Sequence, residues 1–327
     1  MNLSIEQFGD IHLHAASVRD WSQTYCQLTR GSLQTSLLQL SGQRFQIFRE
    51  LINQRVVQNG EAPSGRICFA VPLAVPGTAR VQGREADESS FFVLQGGEEF
   101  MFHMPTGMDL LSITFDQRAF EQAVGSASRP EQVQVLLKQP VLRIPAARLG
   151  DSRRRLLGLF EQAVISAGAL DAETEAWLEG ALMSELVDLL AAPECDMRQR
   201  HGSSPGSYIV EKCHRLTVDD RLNPPSVGDL CKRLRVSRRS VQNGFRSVTE
   251  TTPINYLRCV RLNGVRRELM STRGGDVSIG DAAAQWGFFH LSHFAADYQE
   301  LFGELPSQTR RADGATGRPT GKASALV

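Results

Sequence analysis

The 327-residue chain contains no apolar run approaching the roughly 20 residues that a membrane-spanning helix needs. Its opening, MNLSIEQFGDIHLH, lacks a basic stretch followed by an apolar one, so no secretory signal is expected. Six cysteines (Cys26, Cys68, Cys195, Cys213, Cys231 and Cys259) include no CxxC pair. The common zinc and redox spacings are thereby excluded, and the thiols read as reduced in a cytoplasmic protein. Catalytic signatures are missing as well. RICFAVP around Cys68 has no glycine elbow, and QGGEEF at 95–100 lacks the Lys-Ser/Thr of a phosphate loop.

Charge is balanced overall but unevenly placed. Residues 1–206 hold 18 Lys and Arg against 24 Asp and Glu, a net of −6, whereas 207–311 hold 16 against 11, a net of +5. An acidic front and a basic back suggest that the back part meets a polyanion. With 327 residues, two domains are expected. Between about 28 and 116, short β-rich runs such as FQIFRELI, RICFAVPL and SFFVLQ are spaced by turn residues, which predicts a small barrel or sandwich. Helical periodicity follows near 117–124, 130–138 and 150–168. The clearest helix is 173–192, where Leu178, Leu182, Leu186 and Leu189 recur at three- and four-residue steps. Such a stripe is either core or a dimer seam, and these leucines are the dimerisation candidates. The polar segment 195–207 reads as a linker after a 1–194 sensing and dimerisation domain, and 312–327 reads as a disordered tail.

The segment 208–311 carries two helix pairs. SVGDLCKRL (226–234) opens on Ser226 with Asp229 three residues on, a capping-box pattern, and Ser237 is a good N-cap for the next helix. In that second helix Val241, Phe245 and Val248 share a buried face. Arg238, Arg239, Gln242, Asn243 and Arg246 fall on the other side. Guanidinium and amide groups match guanine and adenine edges in the major groove, although a solvated basic face has the same composition. The plan repeats about fifty residues later. Ser278 and Asp281 open SIGDAAAQW, Gly287 turns the chain, and a helix starts near His290. Leu291, Phe294, Tyr298 and Phe302 are expected to be buried in it, with His290, Ser292, His293 and Ala296 offered to DNA. Asp297 and Glu300 would repel phosphates there. Between the pairs, PINYLRCVRLNGVRRELM (253–270) is expected to start with Pro253 at its first helical position and to span roughly 27 Å, near the ~34 Å groove repeat.

From about 208 to 311 the chain resembles the AraC/XylS family of bacterial transcription regulators. DLCKRLRVSRRSVQNGFR, TTPINYLRCVRLN and DAAAQWGFFHLSHFAADYQELFGELPS carry the likeness. Within the family it is most similar to regulators of ethanolamine operons, through VSRRSVQN, RLNGVRREL and DAAAQWGF, and more weakly through VRDWSQTYCQLTRGSL and FQIFREL. The resemblance implies an α+β chain with a β-rich, cupin-like sensing domain bearing dimerisation helices. It also implies an all-α reader of two helix-turn-helix motifs joined by a connector helix. Arg239, Gln242 and Asn243, then Ser292, His293 and Ala296, match the family's base-reading positions. The implied partners are double-stranded DNA, RNA polymerase, a second copy and a small-molecule effector, with ethanolamine or adenosylcobalamin implied only by the resemblance.

A cationic amine would favour an aromatic or carboxylate pocket, for which Trp21, Tyr25, Phe69 and Phe102 are candidates, each also readable as core. His12, His14 and His103 do not supply the clustered His-x-His…Glu pattern of a cupin enzyme, so no metal is expected. The expected function is a sequence-specific transcription regulator, more often an activator than a repressor. The alternative is an enzyme domain fused to a DNA-binding module.

Overall fold

The computed structural model describes residues 1–166, 171–192, 204–273 and 276–311. The front half runs β1 (Asn2–Phe8), α1 (Ile11–Ser17), β2 (Ser22–Gln27), β3 (Thr35–Ser41), β4 (Phe45–Ile52), β5 (Val56–Glu61) and β6 (Arg66–Ala74). It continues through β7 (Ala79–Val81), β8 (Arg84–Ala86), β9 (Ser90–Gln95), β10 (Glu99–Met104) and β11 (Met108–Asp116). Four helices and one short strand close it: α2 (Gln117–Gly125), α3 (Pro130–Leu136), β12 (Val141–Arg143), α4 (Ala146–Ile165) and α5 (Ala172–Ala191).

The strands form a seven-stranded sheet, ordered β1-β3-β4-β11-β6-β9-β12, and a five-stranded sheet, ordered β2-β5-β10-β7-β8. One core lies between the sheets and includes Tyr25, Val56, Phe92, Phe102 and Leu110. A second core lies between the larger sheet and α2–α5. The larger sheet is thus buried on both faces, which is why β6 and β11 read as nearly unbroken apolar runs instead of alternating.

The leucine stripe of α5 belongs to that second core. Leu178, Leu182, Leu186 and Leu189 are each 0% exposed and pack against α4 and the sheet of their own chain. They are therefore not a free dimer seam, because a seam must be solvent-exposed in the separate chain. The outward face of α5 instead presents Trp177, which is 54% exposed.

The back half is wholly helical: α6 (Pro205–Asp219), α7 (Val227–Leu234), α8 (Arg238–Thr249), α9 (Pro253–Ser271), α10 (Ile279–Gln285), α11 (Leu291–Phe302) and a 3-10 turn at Pro306–Gln308. Helix α6 begins within the segment 195–207 expected as a linker, with Ser204 as N-cap and Pro205 in the first turn. Residues 195–203 and the expected tail 312–327 lie outside the described residues. Two apolar clusters, one around Val241, Phe245 and Tyr256 and one around Leu262, Trp286 and Phe294, give each helix pair its own core. Among the described residues no helix is long and apolar enough to cross a membrane.

Candidate nucleic-acid interface

The first helix pair is built by its caps. The Ser226 hydroxyl accepts from the Asp229 N–H and the Asp229 carboxylate accepts from the Ser226 N–H, a complete capping box. The Ser226 hydroxyl, which donates to Asp229 Oδ2 at 2.6 Å, and the Ser226 N–H on the same oxygen hold the Asp229 carboxyl below the usual carboxylate range. Arg235 ends α7 in the left-handed region, at φ 54°, and the Val236 N–H reaches back to the Cys231 carbonyl. Ser237 then caps α8 by accepting from the Ser240 N–H.

On α8, Val241, Phe245 and Val248 are buried as expected. Arg238, Arg239, Gln242, Asn243 and Arg246 are all exposed along the opposite face. No carboxylate interrupts that face within α8, and the first one after it, Glu250, is drawn away in an ion pair with Arg55 at 2.5 Å. The face is thus a cationic, amide-bearing surface of the kind that enters a major groove.

The second pair repeats the backbone and changes the chemistry. Ser278 caps α10 by accepting from the Asp281 N–H at 3.0 Å. Gly287, at φ 74°, occupies the turn, and the Phe288 N–H returns to the Ala283 carbonyl. His290, the N-cap of α11, makes no side-chain cap. His290, Ser292, His293 and Ala296 are exposed, as a reading face requires. Phe294, Tyr298 and Phe302 are buried, but Leu291 is 51% exposed. At the first position of α11, Leu291 precedes the turn that packs inward, so it joins the outer face. The expected repulsion by Asp297 and Glu300 is reduced, because Arg258 pairs with Asp297 at 3.1 Å and Arg30 with Glu300 at 2.6 Å.

Connector α9 has 19 residues and so spans about 28 Å. Pro253 lies in its first turn, and Thr252 caps it. Its middle is pinned at Gly264, where an added Cβ would lie 2.3 Å from the Trp286 ring.

A small cavity of about 40 Å³ lies between the two sheets of the front domain. Trp21, Phe69 and Phe102 border it, although Phe69 is chiefly part of the helix-side core, against Phe91, Phe115 and Phe120. Tyr25 does not line the cavity. Its hydroxyl donates to Glu50 Oε1 at 2.7 Å, and His14 Nε2 lies 2.8 Å from the same oxygen. Among the described residues Glu50, absent from the candidates above, is the one carboxylate that lines the cavity. A carboxylate in mid-strand, flanked by the apolar residues Ile47, Phe48, Leu51 and Ile52, was the available signal. Trp21, which borders the cavity, has its indole N–H buried with no partner among the described residues.

Cys68 borders the same space with its thiol pushed up to about 12 by burial, which makes it a poor nucleophile at neutral pH. His14 and His103 serve different networks, with Glu50 and Tyr256 respectively.

Residues 230–312 match the helix-turn-helix domain family. The probable thc operon regulatory protein of Rhodococcus erythropolis is 34% identical over 131 residues, 38% of each chain. The XylDLEGF operon transcriptional activator 2 of Pseudomonas putida is 34% identical over 110 residues, 34% of this chain and 70% of that protein. The solved AraC-like transcriptional activator CuxR is 14% identical, with a TM-score of 0.42 over 79% of this chain and 94% of that one. The class defined here is a double helix-turn-helix protein. The chain belongs to the AraC/XylS family of such regulators. Its matches span about two fifths of the length of the thc and full-length XylDLEGF regulators.

Proposed function

We propose that this chain is a sequence-specific DNA-binding transcription regulator of the cytoplasm, working as a homodimer that recruits RNA polymerase. One observation carries the reading: α8 offers Arg238, Arg239, Gln242, Asn243 and Arg246 on one exposed, carboxylate-free face, opposite a buried Val241–Phe245–Val248 face. The related XylDLEGF protein is a transcriptional activator by name, which supports activation as the direction of control. Dimer contacts fall on the outward face of α5 around Trp177, since the leucine stripe is spent inside the chain.

The effector enters the cavity beside Glu50. Both hydrogen bonds to that carboxylate fall on Oε1, which leaves Oε2 for a cationic head, and the Trp21 N–H is an unused donor for an acceptor on the same ligand. A compact amino alcohol such as ethanolamine has both groups and is small enough for the space.

Selection of duplexes from a random pool with the full chain tests the main reading. A recovered consensus that weakens on Gln242→Ala supports it, and a pool without enrichment at low salt refutes it. Thermal shift tests the effector: ethanolamine is expected to raise the Tm of the native chain and not of Glu50→Gln, whereas an equal response from ethylene glycol would contradict the cation site.

A further inference from the structure

The five-stranded sheet is the single layer between the cavity and the reader domain. Side chains alternate across a strand, so one cross-strand row faces inward and the next faces out. The pairing register aligns Tyr25, Gln58, Phe102 and Val81 as neighbours on β2, β5, β10 and β7. Gln58, Phe102 and Val81 line the cavity, and Tyr25 holds its carboxylate. The adjacent row, one residue away, is Cys26, Val57, His103 and Arg80.

Every member of that outer row meets the reader domain. Cys26 and Val57 belong to the same apolar cluster as Phe245 and Tyr256. His103 Nε2 lies 3.1 Å from the Tyr256 hydroxyl, which His214 also contacts at 3.0 Å, and the Tyr256 ring packs edge-on against Phe245 of α8. Arg80 donates to the Ser247 carbonyl at 3.2 Å.

The same sheet and its loops hold the C-terminal ends of both recognition helices. At α8, Arg55 donates to the Thr249 carbonyl at 3.0 Å beside the Arg80 contact. At α11, the Leu301 carbonyl accepts from the Gly31 N–H at 3.1 Å and the Gln27 side-chain amide at 2.8 Å. Asn263 of α9 exchanges two 2.9 Å hydrogen bonds with the Gln27 backbone, as a neighbouring strand would. These donors satisfy carbonyls that a helix end otherwise leaves open, so they hold the helices by fixed geometry.

We infer that this sheet couples the cavity to the readers: a change in the inward row of side chains is felt one residue away by α8 and α11, and DNA held by the readers is felt in the cavity. The inference rests on the DNA-binding reading above. Coupling between two sites is reciprocal, so it is measurable from the DNA side without knowing the effector.

The chain has three tryptophans, and each reports on a different place: Trp21 at the cavity, Trp286 in the second reader and Trp177 on the far helix layer. The full chain carrying 5-fluorotryptophan is titrated with a duplex selected as above and followed by fluorine NMR, the Trp21 resonance being assigned with Trp21→Phe. The expected result is that saturating duplex moves the Trp21 resonance by more than its linewidth and leaves Trp177 unmoved. Tyr256→Phe, or independently Arg80→Met, is expected to bind duplex by anisotropy while reducing the Trp21 response at least twofold. A Trp21 resonance that stays in place while Trp286 moves overturns the inference, as does a full response in both variants. A chain that binds no duplex refutes the proposed function instead.

Discussion

The two helix pairs of the reader domain share a frame and differ in what they present. Both open on a Ser cap with Asp three residues on, and both turn through a left-handed residue whose successor donates back across the helix end. The turn is Arg235 in the first and Gly287 in the second, where an added Cβ would lie 2.5 Å from Pro224. The exposed face of α8 is cationic and amide-rich, whereas α11 offers histidine, serine and alanine, with Asp297 and Glu300 already paired to arginines. The local backbone grammar is thus independent of reading chemistry. On the proposed function, a duplicated frame would provide two places to touch a duplex, and composition would decide which one discriminates.

The largest effect is expected from acid. Burial lowers His103 to about 3 and His214 to about 4, and both support the first pair through Tyr256, while His290 and His293 of the second pair are exposed. These buried rings are neutral in the folded chain, and the unfolded chain takes up a proton on each below about pH 6.5. Stability is therefore intact above that pH and declines as the pH falls toward 4, by about 2 kcal/mol for each histidine at pH 5. Urea unfolding at pH 7 and pH 5 measures the loss, and equal midpoints would contradict it.

Gly264→Ala comes next. Its Cβ would overlap the Trp286 ring, so a loss of roughly 3 kcal/mol is expected, with footprinting retaining only the half-site of the first pair. Arg239→Ala or Gln242→Ala should each cost about 1–3 kcal/mol on the preferred duplex and relax the preference there. An equal loss on random DNA would assign those side chains to phosphates alone. The smallest effect is a gain: Ala296→Arg adds one cation to the weaker face, which should tighten binding on the order of threefold and steepen the salt dependence by about one unit. If His293→Ala instead costs as much as Gln242→Ala, the two readers are equals and the contrast fails.

The reader domain was legible because its determinants are local. Ser226, Ser237, Thr252 and Ser278 mark helix starts by hydrogen bonds that close within three or four residues, and Pro253 marks one by its fixed φ. What is set by distant partners was not. The stripe Leu178–Leu189 has the same periodicity whether a sheet or a second chain covers it, and only the fold decides. Strands β2, β5 and β10 carry Gln, Asn, Glu and His among their apolar residues because their outer face meets another domain, and that mixture hid them. Glu50 was overlooked for a related reason: its partners His14 and Tyr25 lie 36 and 25 residues away.

The grips on α8 and α11 sit at the C-terminal roots of those helices, away from the N-terminal ends proposed to enter the groove. Helix α8 has 12 residues and is therefore a lever arm of about 18 Å. A tilt of roughly 5° at its root would sweep its tip by about 1.6 Å, half the rise of a base pair. Adjustments at Arg55 and Arg80 too small to disturb the packing there would be magnified at the far end into engagement or escape.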